Sequence, residues 1–227
     1  MVQAQRATAP PELERERPIE MTYEEFLALD EGLHAEWVNG KVTIFMSAGT
    51  RHQRMVTFLL TFAGSYARRL DLGEVFTAPY EMRLEAVPSS REPDLLFIAK
   101  HHRNRISDRR LVGPADLVVE LISEWSVARD RSDKFDEYEE AGVSEYLIID
   151  TRPGRERFDA YQLAPTGKYR TVLPDADGRY RSSALPGFWF RPDWFLEDPL
   201  PDPFDLLLDL LAEVAPETLQ RRPKGPA

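Results

Sequence analysis

The stretch of sequence that decides the fold is Ala115-Asp116-Leu117-Val118-Val119-Glu120-Leu121-Ile122-Ser123. Its nearly continuous, β-branched apolar run predicts a strand that is buried on both faces. Glu120 interrupts this run, and a carboxylate there costs several kcal/mol of desolvation unless a partner compensates it. A similar strand, which also begins at an acid, is predicted by Pro93-Asp94-Leu95-Leu96-Phe97-Ile98. Two acids on two buried strands predict a metal site.

The residues that follow this strand predict its place in a sheet. Residues 126–141 predict a helix that ends at Gly142, and residues 143–150 contain a further strand. A strand, a helix and a strand in this order predict a right-handed crossover unit, in which the two strands are parallel.

The remaining elements follow from local signals. Thr22 and Glu25 predict a capping box at the start of a helix, and Asn39-Gly40 predicts a tight hairpin turn. Helical spacing of apolar residues extends over residues 50–70, with Thr50 as the cap. Further strands are predicted at 35–38, 41–45, 73–77, 81–84, 157–163, 168–173 and within 178–192, and a short helix at 203–213.

Composition limits the class of protein. The chain has 227 residues, of which 42% are hydrophobic and 30% charged, and this is enough for one sizeable packed domain. The absence of cysteine excludes disulfides, thiolate zinc sites and thiol nucleophiles. The net charge of −10 argues against coating of nucleic acid through bulk positive charge. The sequence contains no signal segment and no run of about 18 apolar residues, so we expect a cytoplasmic protein without a membrane segment.

Asp94 and Glu120 are the candidate metal ligands. Side chains alternate along a strand, so both acids converge on one point if the two strands are neighbours in a sheet. Two carboxylates and a main-chain carbonyl form an oxygen-rich set that suits Mg²⁺ or Mn²⁺. The alternative is that each acid lies at a strand end and caps a loop, since Pro-Asp is a common turn dipeptide.

Lys134, His52 and Glu36 each have a functional and an ordinary interpretation. In the functional interpretation, Lys134 lies at the edge of the buried side of its helix and reaches over Asp94 and Glu120. In the ordinary interpretation, it forms an ion pair with Asp130, four residues earlier on an exposed helix. In the ordinary interpretation, His52 is a polar residue in the exposed first turn of its helix. In the ordinary interpretation, Glu36 is an acidic residue on the solvent-exposed face of a hairpin strand.

Residues 100–110 form a basic stretch that we interpret as a loop. This loop follows the carboxyl end of the Asp94 strand, so we expect it to lie close to the metal site. It either contacts phosphates of a nucleic acid or is only a solvated connection between two strands. His101 and His102 lack the spacing of metal ligands on a helix and belong to the same loop. The five candidates for nucleic-acid contact are Lys100, Arg103, Arg105, Arg109 and Arg110.

Taken in order, the motifs of the chain resemble the PD-(D/E)XK nuclease superfamily and, within it, the Uma family (second type) of restriction endonucleases. The resemblance covers roughly residues 20–200 and rests on the ordered set, because each motif is weak alone. The motifs are Glu36-x-x-x-Gly40, His52, Pro93-Asp94, Glu120-Leu121-Ile122-Ser123, Asp130-Arg131-x-x-Lys134 with Tyr138, Gly142-Val143-x-Glu145-Tyr146 and Leu185-Pro186-Gly187-Phe188.

The resemblance implies an α/β (α+β) fold of the restriction-endonuclease type, with a mixed β-sheet flanked by helices and with added β-hairpins. Asp94 and Glu120 would hold the metal ion, and the carbonyl of Leu121 would be a third ligand. The superfamily lysine would fall at Ile122, and in this family Lys134 on the next helix takes its place.

The resulting hypothesis is an endonuclease that uses Mg²⁺ (or Mn²⁺) to hydrolyse DNA and that acts as a homodimer. Lys134 would position the attacking water or stabilise the transition-state charge, Glu36 would hold a second ion or act as a base, and His52 would contact the phosphate. Two alternatives remain open, namely a catalytically silent domain that binds nucleic acid or protein, and a hydrolase of another phosphate ester. The catalytic domain would occupy residues 21–200, between a disordered arm at 1–20 and a C-terminal helix with a polar tail at 201–227.

Overall fold

A computed structural model describes residues 19–29, 35–44, 49–122 and 129–219, with only the backbone at Arg129 and Asp130. In these ranges the strands form two six-stranded sheets and one two-stranded sheet. The strands are β1 Ile19–Glu20, β2 Ala35–Val38, β3 Lys41–Ile44, β4 Gly73–Thr77, β5 Glu81–Leu84, β6 Ser89–Arg91, β7 Leu95–Ala99, β8 Arg110–Val112, β9 Leu117–Leu121, β10 Glu145–Asp150, β11 Arg157–Leu163, β12 Tyr169–Thr171, β13 Tyr180–Arg181 and β14 Trp189–Phe190.

The helices lie between and around these sheets. The α-helices of the described residues are α1 Tyr23–Leu27, α2 Thr50–Leu59, α3 Ser65–Arg69, α4 Lys134–Ala141 and α5 Pro203–Val214. Shorter helical segments are the π-helical turns Leu60–Gly64 and Arg129–Asp133 and the 3₁₀ helices Lys100–Arg105, Pro192–Leu196 and Pro216–Leu219.

The first sheet, ordered β1-β3-β2-β6-β5-β8, is built on the predicted hairpin. Asn39 and Gly40 both have positive φ, at 49° and 80°, which is the backbone of a turn that keeps the twist of the flanking strands. The predicted capping box is also present, because the Thr22 side chain accepts from the Glu25 N–H and the Glu25 carboxylate accepts from the Thr22 N–H. Trp37 donates its indole N–H to the Met21 carbonyl and fastens the start of α1 to this sheet.

The second sheet, ordered β12-β11-β10-β9-β7-β4, contains the strand with Glu120, which is β9. Strand β9 is buried throughout and pairs in parallel with β10, as the crossover predicts. On its other side β9 pairs with β7, antiparallel, so the two strands that begin or end at an acid are neighbours. All other pairs in this sheet are antiparallel.

Two apolar clusters cover the two faces of the second sheet. The larger one joins β7, β9 and β10 to α2, α3, α5 and the β13-β14 ribbon. The smaller one lies between the second sheet, the first sheet and α4, and contains Met82, Leu96, Val118 and Tyr138. The face of the second sheet that carries Val118 therefore looks toward the first sheet, and the candidate site lies on that side.

Helices α2 and α3 form the single helix predicted over residues 50–70, interrupted by the π-helical turn Leu60–Gly64. The predicted cap Thr50 is wrong by one residue. Gly49 is the N-cap, because its backbone is extended, with φ −71° and ψ 163°, while Thr50 is already helical.

The helix predicted at 126–141 agrees with the structure over its described part. Residues 126–128 lie outside the described ranges, Arg129–Asp133 are a π-helical turn and α4 follows. The helix stops at Gly142, whose φ of 86° is the left-handed conformation that glycine adopts at low cost. In α5, Leu207 and Leu211 are buried, whereas Phe204 is 58% and Leu208 38% exposed.

Two further expectations are corrected. Ile19 and Glu20, assigned to a disordered arm, are strand β1, because their backbone pairs with Val42 and Lys41 of the hairpin. The rest of that arm and residues 220–227 of the tail lie outside the described ranges. The basic stretch is a loop only at residues 106–109, since residues 100–105 form a 3₁₀ helix and Arg110 begins β8. None of the described helices has the length and apolar character needed to cross a membrane.

Candidate active site

The candidate active site lies where the two large sheets and α4 meet. Glu36 is on β2 and Arg91 ends β6, so both come from the first sheet. Glu120 is on β9 of the second sheet, and Lys134 and Tyr138 lie one helical turn apart on α4. All five side chains are buried.

Asp94 and Glu120 lie across from each other on neighbouring strands. The pairs Leu95–Val119 and Leu96–Val118 set the register of β7 and β9, and one further step places Asp94 opposite Glu120. Residues directly opposite in an antiparallel pair point to the same face of a sheet. Asp94 is fixed there because its Oδ2 accepts a hydrogen bond of 2.7 Å from the Leu121 N–H.

Lys134 joins two buried acids from different sheets. Its Nζ lies 2.8 Å from Oε1 of Glu120 and 3.1 Å from Oε1 of Glu36. The three residues are only 2–3% exposed. Tyr138 donates a second hydrogen bond, of 2.9 Å, to the same oxygen of Glu120. The carboxylate in the apolar strand is thus compensated by a buried cation and a phenol.

Burial also acts on the Tyr138 phenol. Desolvation first, and then the nearby charge of Glu120, hold the pKa of Tyr138 well above its ordinary value. The phenol therefore stays protonated and remains a hydrogen-bond donor to Glu120.

Arg91 extends the buried network beyond the predicted residues. Its guanidinium donates to Oε2 of Glu36 at 2.8 Å and to both carboxylate oxygens of Glu137, at 2.6 and 2.8 Å. Desolvation opposes the charged form, but the two carboxylates outweigh it and raise the pKa of Arg91 above its ordinary range. Nothing local in the sequence identifies Arg91 or Glu137 as members of the site, because their contacts join β6, β2 and α4.

Glu92 lies beside this network and was also missed. Burial first, and then the charges of Glu36 and Glu81, raise the pKa of Glu92 to about 8. Its backbone N–H donates to Oε1 of Glu36 at 3.3 Å.

His52 and Asp94 form a second contact at the edge of the site. Nε2 of His52, in the first turn of α2, lies 3.0 Å from Oδ1 of Asp94. Their side chains are 19% and 15% exposed, more than those of Glu36 and Glu120, so solvent reaches the site on the α2 side.

The side chains of the site are rich in carboxylate oxygen, the kind of ligand that a hard divalent cation prefers. Among the described side chains, the carboxylates of Glu36, Asp94, Glu120 and Glu137 form ion pairs with Lys134, Arg91 and His52. Carboxylate oxygens that accept one hydrogen bond keep a further lone pair for an ion, and an all-oxygen set suits Mg²⁺ or Mn²⁺.

Lys100 and Arg103 lie at the other end of β7 from Asp94, which corrects the expectation that this part of the basic stretch is close to the metal site. Six residue steps separate Asp94 from Lys100, and an extended strand spans roughly 20 Å over that length. Partners within the protein hold these residues: Lys100 contacts Asp71, Arg103 contacts Glu74, Arg105 donates to the Pro114 carbonyl, and Arg110 contacts Tyr23 and Glu81.

Comparisons with known proteins agree with the predicted family and with the fold. Residues 23–201 match the model of a protein family described as "Uma2: Putative restriction endonuclease". Among solved structures, the chain is similar to "a putative nuclease belonging to DUF820" from Anabaena variabilis, at 14% sequence identity and a TM-score of 0.62. The likeness covers 76% of this chain and 96% of that one, and it confirms the predicted fold class. No curated protein matches the chain.

Proposed function

Because the chain belongs to the Uma2 family of restriction endonucleases, we propose that it is a metal-dependent endonuclease that hydrolyses phosphodiester bonds in DNA. The family and the nuclease-like fold support a nuclease. The proposal of metal-dependent DNA cleavage is carried by the register of β7 and β9, which brings Asp94 and Glu120 to the same end of two paired strands. Lys134 is bonded to Glu120 at this end.

Asp94 and Glu120 would hold the ion, with the Leu121 carbonyl as a third ligand. When bound, Mg²⁺ or Mn²⁺ supplies electrophilic stabilisation of phosphate charge and lowers the pKa of water. The Leu121 N–H already orients Asp94, and Lys134 with Tyr138 orients Glu120. Fixed ligands of this kind bind an ion with less loss of side-chain entropy.

The remaining residues act on the substrate. Lys134 places a positive charge beside Glu120, where it would stabilise the negative charge that develops on the phosphate. Glu36, bonded to the same ammonium, would accept a proton from the attacking water or contribute to a second ion. His52, on the exposed side of Asp94, would donate a hydrogen bond to a phosphate oxygen.

Contacts to the DNA backbone and dimer formation complete the proposal. Lys100 and Arg103 have side chains more than half exposed, and exposed ion pairs are weak enough to exchange for phosphates. Two copies of the chain would bring two sites to the two strands of a duplex. The exposed apolar residues Phe204 and Leu208 of α5 are candidates for the contact between copies.

Cleavage assays with isosteric variants test this proposal. Wild type, Asp94→Asn, Glu120→Gln and, as the matched control, the exposed Glu85→Gln are compared on plasmid and oligonucleotide DNA with Mg²⁺, Mn²⁺ or chelator. We expect metal-dependent cleavage by wild type and Glu85→Gln, and a loss of about a hundredfold or more in the other two. Unchanged cleavage by both site variants would refute the assignment.

The same assays separate the two alternatives. Metal binding by wild type without cleavage of any nucleic acid favours a silent binding domain. The acidic net charge of −10 favours the other alternative, a hydrolase of small phosphate esters. That activity would appear on mononucleotide or aryl phosphates and not on DNA.

A further inference from the structure

A second group of metal-ligating side chains lies far from the candidate active site. His101, His102 and Asp116 each offer one ligand atom, and these atoms all lie within 4.8 Å of one another. Within the part of the chain that the structure describes, this is the one group of three histidine or acidic residues that meets this distance. From the sequence, both histidines are predicted to lie in a loop, because they lack the spacing of metal ligands on a helix.

The antiparallel pairing of β7 and β9 builds this group. It brings the end of β7, from which the 3₁₀ helix Lys100–Arg105 continues, beside the start of β9, which Asp116 precedes. The two acids at the opposite ends of β9, Asp116 and Glu120, therefore belong to two separate sites. Extended backbone of this length spans roughly 13 Å between them.

Asp116 is oriented as a metal-ligating carboxylate usually is. It is 7% exposed, and its Oδ2 accepts a hydrogen bond of 2.7 Å from the Ala99 N–H. Its other oxygen, Oδ1, lies 2.8 Å from Nδ1 of His102. A backbone donor on the second oxygen fixes the carboxylate, as outer hydrogen bonds do around protein metal sites.

The two histidines complete a set that is open on one side. Their ring centroids are 4.0 Å apart and the rings are inclined by 52°, although the residues are adjacent in sequence. His102 is half-buried and His101 is exposed. Three protein ligands with one exposed member leave the fourth position to water, as in open zinc sites.

We propose that His101, His102 and Asp116 bind a transition-metal ion of the Zn²⁺ or Co²⁺ type. Two imidazoles and one carboxylate suit these ions, whereas Mg²⁺ prefers oxygen alone. Metal–ligand distances of about 2.0–2.2 Å place tetrahedral ligand atoms roughly 3.4 Å apart. The His102–Asp116 pair would open by about half an ångström to reach this separation.

The charges around the group permit a cation. Lys100 and Arg103 flank the histidines, but Lys100 contacts Asp71 and Arg103 lies 2.9 Å from Glu74. The ion would fasten the basic 3₁₀ helix to the start of β9. Its role is therefore to order a surface segment, and it is independent of the proposed endonuclease function.

Metal titration of the full chain tests this site. Metal-free protein is titrated with Zn²⁺ by calorimetry and with Co²⁺ by visible absorption, in excess Mg²⁺. We expect one Zn²⁺ per chain, a tetrahedral Co²⁺ spectrum, and a rise in Tm with Zn²⁺. His101→Gln removes an exposed ligand and leaves the His102–Asp116 contact, so it is expected to fold and to lower the affinity about a hundredfold.

Two further variants make the assignment specific. Asp116→Asn is expected to lose the ion, while its matched control Asp71→Asn, at an exposed aspartate nearby, keeps it. Glu120→Gln is also expected to keep it. The proposal is overturned if wild type binds neither ion with micromolar affinity, if His101→Gln binds as wild type does, or if Glu120→Gln abolishes the binding.

Discussion

Lys134 donates a hydrogen bond of 2.8 Å to Glu120, and both residues are 3% exposed. The sequence alone suggested that a metal ion compensates the acid in the apolar strand. In the structure the compensation comes from the next helix, through Lys134 and Tyr138. If Glu120 held a metal ion, its carboxylate would contact the ion, the Lys134 ammonium and the Tyr138 hydroxyl together.

The first prediction concerns the stability of this pair. Lys134→Met leaves Glu36 and Glu120 buried without their shared cation, and a broken buried ion pair costs about 3–5 kcal/mol. The free energy of unfolding, measured by urea denaturation of metal-free protein, is expected to fall by that amount. Lys168→Met, at an exposed lysine bonded to Glu139, is the matched control and is expected to change little. Equal effects of the two variants would contradict a buried role for Lys134.

The second prediction concerns the orientation of Glu120. Tyr138→Phe removes one hydrogen bond to a buried charged acceptor, which costs about 1.5–3 kcal/mol of unfolding free energy. It is also expected to lower kcat for DNA cleavage, because Glu120 loses a fixed partner. Tyr169→Phe, which removes a hydrogen bond to the Val143 carbonyl, is expected to cost about 1 kcal/mol and leave cleavage unchanged. A kcat that falls equally in both variants would argue against a specific role of Tyr138.

The third prediction concerns pH. The pKa of Glu92 is raised from 4.5 to about 8, so the folded protein binds a proton there more tightly than the unfolded chain does. Its contribution to stability is then complete below about pH 4.5, declines as the pH rises, and is lost above about pH 8.

Glu92→Gln removes this contribution. The variant is expected to gain stability relative to wild type, by a few kcal/mol, as the pH rises from about 5 to 8. Urea denaturation of both proteins across this range measures the difference. A difference that does not change with pH would show that Glu92 titrates normally.

The fourth prediction concerns the basic 3₁₀ helix. If Lys100 and Arg103 contact phosphates, the double variant Lys100→Gln, Arg103→Gln weakens DNA binding and makes the salt dependence shallower by about 0.9 per lost contact. The matched control is Arg157→Gln, Lys168→Gln, which also removes one arginine and one lysine from exposed ion pairs. Fluorescence anisotropy at several salt concentrations measures both. The same salt slope in both double variants would exclude this helix from the DNA interface.

The sequence by itself determined the elements whose signals are local. The apolar run around Glu120 specifies a buried strand, Asn39-Gly40 specifies the hairpin, and Thr22 with Glu25 specifies the start of α1. These signals suffice because a turn, a cap and an unbroken apolar run each depend on residues a few positions apart. The order of motifs also identified the family.

Only the tertiary structure decided which side chains meet. The contact of Arg91 with Glu36 joins residues 55 positions apart, and that of Lys134 with Glu36 joins two different elements. The strand register separated the basic helix from Asp94 and instead brought Asp116 to His102. Such contacts depend on strand pairing between distant segments, and a local pattern of residues does not specify the partner of a strand.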